Sequence, residues 1–131
     1  MLPFTLDTVR LSLHILAVCI WIGGQLVVAA AVPALREVGP DAPRLVARRF
    51  GQVAWPAFGL AVVTGIWSIL TLPSGQSFEY NVTLGVKLLL VVVSGVAAFV
   101  HQQTSSPALR SATGGLGLVS ALGALVLGAM L

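Results

Sequence analysis

The sequence contains few charged residues: only 8% of its 131 residues are Asp, Glu, Lys or Arg, whereas 57% are hydrophobic. A single cysteine rules out an intrachain disulfide, and there is no nucleotide-binding loop, metalloprotease motif or Cys-x-x-Cys motif. A soluble domain of this length would show polar faces between its buried stripes, and these are missing. No carboxylate interrupts the long apolar runs, which argues against an acidic proton-relay pump.

The few charged residues divide the chain into four long uncharged runs. Arg10 to Arg36 encloses 25 uncharged residues, Arg49 to Glu79 encloses 29, Lys87 to Arg110 encloses 22, and 21 more follow Arg110. About 20 apolar residues in a helix cross a hydrocarbon core of about 30 Å. We therefore predict an all-α fold, an integral membrane four-helix bundle that forms one transmembrane domain over residues 1–131. Pro33 and Gly39-Pro40 should close the first helix, and the expected spans are about 9–33, 52–72, 82–102 and 112–131.

The charges also predict the orientation of the chain in the membrane. The connection 35–50 carries four arginines against two acidic residues, and the third connection carries Arg110, whereas the second carries only Glu79. The positive-inside rule then places the first and third connections in the cytoplasm and both termini outside, with Arg10 as the one exception. We expect a multi-pass protein of the cytoplasmic (inner) membrane. The pI near 10 reflects this topology and contact with the lipid bilayer, and it does not indicate nucleic-acid binding.

Two ionisable residues lie at matched depth in the first and third predicted helices. His14 and Lys87 are each about five residues from the outer end of their span. His101 follows Lys87 by fourteen residues, about 21 Å deeper at about 1.5 Å per residue. One macrocycle could not easily take both histidines as opposite axial ligands, so a pair of His14 and His101 is disfavoured.

Helical spacing places these residues on polar stripes. His14 and Trp21 are seven residues apart, as are Lys87, Ser94 and His101, so each set shares a helix face. Ionisable residues inside spans usually face the bundle interior, which favours a site between helices one and three near the outer face. Simpler interpretations stay open: a neutral His14 bonded to a carbonyl, and a Lys87 ammonium that reaches the headgroups. Gly23-Gly24 allows either close helix approach or room for a flat ligand.

Small residues line one face of the fourth predicted helix. Ser120, Ala124 and Gly128 form a small-xxx-small ridge, with Gly117 and Ala121 beside it. Such a ridge is a packing surface, either within the bundle or between protomers. A homodimer or a larger membrane complex through helix four is therefore one expectation.

The order of several short motifs resembles a known family. The chain contains His-x6-Trp-x-Gly-Gly from His14, Pro-Ala-Leu-Arg at 33–36, Arg-Arg-Phe at 48–50, Thr-Gly at 64–65 and Lys-Leu-Leu-Leu at 87–90. Over roughly residues 9–110 this order resembles the copper resistance protein D (CopD) domain. It is more distantly similar to the HemJ type of protoporphyrinogen oxidase, a four-helix membrane protein associated with b-type haem. That second resemblance implies a functional pair formed by His14 and Lys87.

From these observations we predict a CopD-like membrane protein that binds haem b and acts as a redox or copper-handling component. His14 is the expected metal ligand, and Lys87 would pair with a propionate, act as the opposite ligand or move protons. Trp21, Gly24 and Ser94 would contribute to the pocket. Copper is a further candidate ligand, although Cys19, two methionines and two separated histidines form no evident copper channel. A cofactor-free membrane interaction subunit and a HemJ-like oxidase are the alternatives, so enzymatic activity stays undecided.

Overall fold

The computed structural model describes residues 1–131, which form four α-helices and no strand. The helices are α1 (Leu6–Val38), α2 (Ala42–Leu70), α3 (Phe78–Gln103) and α4 (Pro107–Met130). All four are long and apolar enough to cross a membrane, which confirms the all-α fold with four spanning helices. Two compact units result: a first hairpin of α1 and α2 (residues 1–72) and a second hairpin of α3 and α4 (residues 73–131). The orientation of the termini and a single domain over the whole chain stay predictions.

The helices extend beyond the spans expected from hydropathy. The prediction that Pro33 closes the first helix is wrong, because α1 continues through Pro33 to Val38 and ends at Gly39. A proline inside a helix removes one backbone hydrogen bond, and membrane helices tolerate that loss. The expected start of α2 at residue 52 is also wrong, since Pro43 lies in its first turn and the arginine-rich segment is already helical. Hydropathy marks the part of a helix that crosses lipid, whereas capping residues mark its ends.

Side chains in the first hairpin fill space left by glycines on the facing helix. The Phe50 ring of α2 occupies the position that a Cβ on Gly24 of α1 would take. The His14 ring lies against Gly65, with Cε1 3.7 Å from the position of a Cβ there. These contacts show close approach of α1 and α2, which small residues permit.

In the second hairpin, glycines of α4 make room for side chains of α3. A Cβ on Gly128 would lie 3.1 Å from Lys87 Nζ, and one on Gly114 would lie 3.1 Å from the His101 ring. Ser120, 4% exposed, and Ala124, 7% exposed, are buried in the single chain. The small-residue ridge is thus a packing surface within the chain. A homodimer through helix four stays a prediction, and it would have to use the exposed face of α4.

Adjacent glycines in α4 give a matched test of this packing. We expect Gly115→Ala to raise the free energy of unfolding by about 0.5 to 1 kcal/mol, because alanine favours helix and nothing lies within 4 Å of the new Cβ. Gly114→Ala should be about 1 kcal/mol less stable than Gly115→Ala, because its Cβ would lie 3.1 Å from the His101 ring, which must shift while Nδ1 is bonded to the Arg110 carbonyl. Thermal unfolding of both variants in one detergent measures the difference. Equal stabilisation by the two alanines would contradict the described contact.

Candidate functional site

A histidine–threonine hydrogen bond connects the two helices of the first hairpin. His14 Nδ1 lies 2.8 Å from Thr64 Oγ1, and Thr64 is only 2% exposed. The same hydroxyl donates to the Leu60 carbonyl oxygen at 2.7 Å, where the carbonyl can only accept. The Thr64 oxygen therefore accepts the proton of His14 Nδ1. A neutral His14 then has its lone pair on Nε2.

This tautomer is the one that a metal-binding histidine needs for coordination through Nε2. Histidine ligands commonly donate their other ring N–H to an oxygen, which fixes the orientation of the ring and the tautomer. Sequence reasoning expected a backbone carbonyl as the alternative partner of His14, whereas the structure supplies a buried hydroxyl. The arrangement can hold an imidazole in one defined orientation within an apolar helix pair.

Polar groups continue from this pair toward the N-terminal end of α1. Ser68 Oγ donates to the Thr64 carbonyl at 2.9 Å, and Arg10 Nη1 donates to Ser68 Oγ. Arg10 Nη2 lies 3.2 Å from Asp7 Oδ1 in an ion pair, while Arg10 Nε is buried without a hydrogen-bond partner. Arg10, the exception to the topology rule, is thus bonded to Ser68 of α2 and paired with the exposed Asp7.

An aromatic cluster lies on the other side of His14 along α1. Trp21, 7% exposed, is seven residues from His14 on the same face, roughly 10.5 Å along the axis. Its ring is 5.3 Å from Trp55 in an edge-to-face arrangement and 4.5 Å from Phe58. The Phe50 ring fills the space beside Gly24, so that glycine serves packing between α1 and α2. A contact of Trp21 or Gly24 with a cofactor stays a prediction.

The other two predicted site residues lie in the second hairpin. The partly buried Lys87 side chain lies over Gly128 in the last turn of α4, and it forms no ion pair. Ser94 is 1% exposed, and its backbone carbonyl lies beside Gly117. The structure therefore groups His14, Trp21 and Gly24 in the first hairpin and Lys87 and Ser94 in the second.

His101 has a local role at the connection between α3 and α4. Its Nδ1 lies 2.7 Å from the Arg110 carbonyl oxygen, and Arg110 Nη2 donates to the Thr104 carbonyl at 2.7 Å. These bonds hold the end of α3 against the start of α4.

Sequence reasoning missed Thr64 and Ser68, the α2 residues that bond to His14 and Arg10. Thr64 and Ser68 are four residues apart, and Asp7, Arg10 and His14 are spaced by three and four, so each set forms one row on its helix. Counting polar residues at helical spacing on both helices would have found these rows. That the two rows pair with each other follows only from the packing of the hairpin.

Comparison with known proteins identifies the family of this chain. A family model for Copper resistance protein D (CopD) matches residues 44–131. The chain belongs to the CopD family. The match includes α2, α3 and α4, with the Arg-Arg-Phe, Thr-Gly and Lys-Leu-Leu-Leu motifs, while α1 and His14 precede it. No curated protein and no solved structure matches the chain. The similarity to HemJ-type oxidases stays a prediction.

The donor atoms of this CopD-family chain do not fit a resident copper ion. No three or more His, Cys, Asp or Glu residues are grouped as metal ligands would be. Cys19, the only thiol, is exposed on α1. Copper sites in proteins usually combine several imidazole, thiolate or thioether ligands. Copper binding by this chain stays a prediction.

The bond between His14 and Thr64 yields a stability prediction. Thr64→Val keeps the shape of the side chain but leaves the His14 Nδ1–H without its acceptor, so we expect the free energy of unfolding to fall by about 1 to 2 kcal/mol. Thr64→Ser retains the hydroxyl and should lose less. Chemical unfolding of both variants in detergent measures the difference. If Thr64→Val were as stable as Thr64→Ser, the hydrogen bond would contribute nothing to the stability of the hairpin.

Proposed function

We propose that this CopD-family protein binds haem b through His14 and acts as a redox component of copper handling in the cytoplasmic membrane. The observation that carries the proposal is the Thr64 hydroxyl. It accepts from His14 Nδ1 while donating to Leu60. A histidine with this tautomer presents Nε2 as its coordinating nitrogen, and a haem-ligating imidazole requires the same arrangement.

The residues of the first hairpin fit haem better than copper. One imidazole is a sufficient protein ligand for a haem iron, whereas the chain has no cluster of copper donors. A bound haem would supply one-electron transfer. His14 would hold the iron, Thr64 would orient the imidazole, and the burial of Thr64 would keep water from competing for the hydrogen bond. Trp21 is the residue that we assign to the pocket on α1, because the Phe50 ring already fills the space beside Gly24.

Lys87 and Ser94 lie in the second hairpin, and their contact with a haem stays a prediction from the sequence. Lys87 is a partly buried cation without an ion pair, and a haem propionate is a carboxylate that would neutralise it. The ammonium keeps its charge in this role, which requires less free energy than its deprotonation for iron ligation. Ser94 is a buried polar group seven residues farther along the same face of α3.

An absorption spectrum tests this function. The full chain would be purified in detergent through a tag without histidine, and spectra would be recorded oxidised and after dithionite, before and after addition of haemin. We expect a Soret band, sharpened bands on reduction and about one haem per chain. A protein that stays colourless after haemin addition would contradict the proposal and favour the cofactor-free interaction subunit. Oxidation of protoporphyrinogen by the purified protein would instead identify the oxidase.

A further inference from the structure

An apolar groove runs along the surface of the first hairpin. It has a volume of about 400 Å³ and is lined by Leu16 and Ile20 of α1 and by five residues of α2 between 52 and 60. Leu16 and Val53 are more than half exposed, so the groove opens to the surroundings of the hairpin. Both helices are long and apolar enough to cross a membrane, and an apolar groove on such helices can accept an acyl chain.

One end of the groove is polar. Gln52 is an exposed amide that forms no hydrogen bond within the chain. Four residues later Pro56, which has no backbone N–H, cannot donate to the Gln52 carbonyl. The groove is thus apolar along most of its length and has the Gln52 side-chain amide, which can donate hydrogen bonds, at one end.

Two arginines lie one helical turn beyond this polar end. Arg48 precedes Gln52 by four residues and Arg49 precedes Val53 by four, so both continue the rows of α2 residues that line the groove. Both side chains are exposed, and neither forms an ion pair. On the predicted cytoplasmic side such arginines would lie at the headgroup level of the leaflet that is rich in anionic lipid.

We propose that this groove binds one anionic phospholipid, with an acyl chain along Leu16, Ile20 and Leu60 and the phosphate at Arg48 and Arg49. The Gln52 side-chain amide donates a hydrogen bond to the headgroup, where the acyl chain meets the phosphate. The polar Gln52 and the two exposed arginines beyond one end of the groove distinguish this site from general annular lipid, which contacts any apolar helix face. The site uses none of the side chains assigned to the haem, although Leu60 at its end lies one helical turn from Thr64.

Native mass spectrometry of the full chain, released from detergent containing equal phosphatidylglycerol and phosphatidylcholine, tests the site. We expect one bound phosphatidylglycerol to predominate. Arg48→Gln and Arg49→Gln should each lower its occupancy about fivefold relative to wild type, whereas Arg48→Lys should largely retain it. Arg36→Gln removes the same charge from the last turn of α1 and is the matched control, with little expected effect.

A variant in the groove separates its contribution to lipid binding from that of the arginine charges. Val53→Trp changes an exposed residue that lines the groove, so it should lower phosphatidylglycerol occupancy without unfolding the hairpin, which circular dichroism would verify. Equal losses in Arg36→Gln and Arg48→Gln would reduce the effect to diffuse electrostatic attraction and overturn the proposal. Equal binding of the two lipids, or a lipid-free dimer that Val53→Trp dissociates, would also overturn it.

Discussion

Under the proposed function, we expect replacement of His14 by alanine to abolish haem absorption entirely. The alanine removes the imidazole whose Nδ1 is held by Thr64, and no other histidine lies in the first hairpin. Iron in a membrane-embedded haem depends on such an axial nitrogen for tight binding. The Soret band and the reduced bands should both disappear, while the helical content measured by circular dichroism should be retained.

His101→Ala is the matched control for this loss. It removes the only other histidine, whose Nδ1 bonds to the Arg110 carbonyl at the connection of the second hairpin. We expect this variant to keep the full haem content and to lose about 1 kcal/mol of stability with the hydrogen bond. Loss of haem in His101→Ala, with haem retained in His14→Ala, would identify His101 as the ligand and contradict the assignment of His14.

Gly24→Val is expected to lower the free energy of unfolding by about 3 kcal/mol. A Cβ at this position would coincide with the Phe50 ring, so the ring must leave the space that it fills beside Gly24, between α1 and α2. Gly23→Val is a close control, because nothing lies within 4 Å of a Cβ on the preceding residue. That variant should lose clearly less stability than Gly24→Val, and chemical unfolding in detergent compares the two.

The double variant Gly24→Val with Phe50→Ala checks the cause of this effect. If the valine acts by expelling the ring, removal of the ring should make the two losses clearly less than additive. Additive losses, or equal effects of valine at positions 23 and 24, would show that the Phe50 contact does not stabilise the hairpin.

Hydropathy and charge spacing were sufficient to predict the four helices, because long uncharged runs have no other stable form in a membrane. They were not sufficient for the helix ends. Pro33 lies inside α1 and the arginines around Arg48 lie inside α2, since capping and proline position decide where helices end. The family motifs identified the CopD relationship, which the match over residues 44–131 confirms.

The partners of the candidate site residues could be predicted only in part. Helical periodicity placed His14 and Trp21 on one face, and the structure finds both at the contact with α2. Their partners, Thr64 and Phe58, depend on the register between two helices, which no spacing within one helix contains. Gly24 shows the same limit: its sequence allowed either a flat ligand or close packing, and only the position of the Phe50 ring distinguishes the two.

The most direct test of the account uses the fact that the chain has only two histidines. In His101→Ala, purified through a tag without histidine and grown with ¹⁵N-histidine, His14 is the single labelled residue. Pulsed electron paramagnetic resonance of the ferric protein would then detect any ¹⁵N nucleus bound to the haem iron. We expect a strong ¹⁵N hyperfine coupling from His14. A haem-loaded protein without that coupling would contradict the assignment of His14 as the ligand.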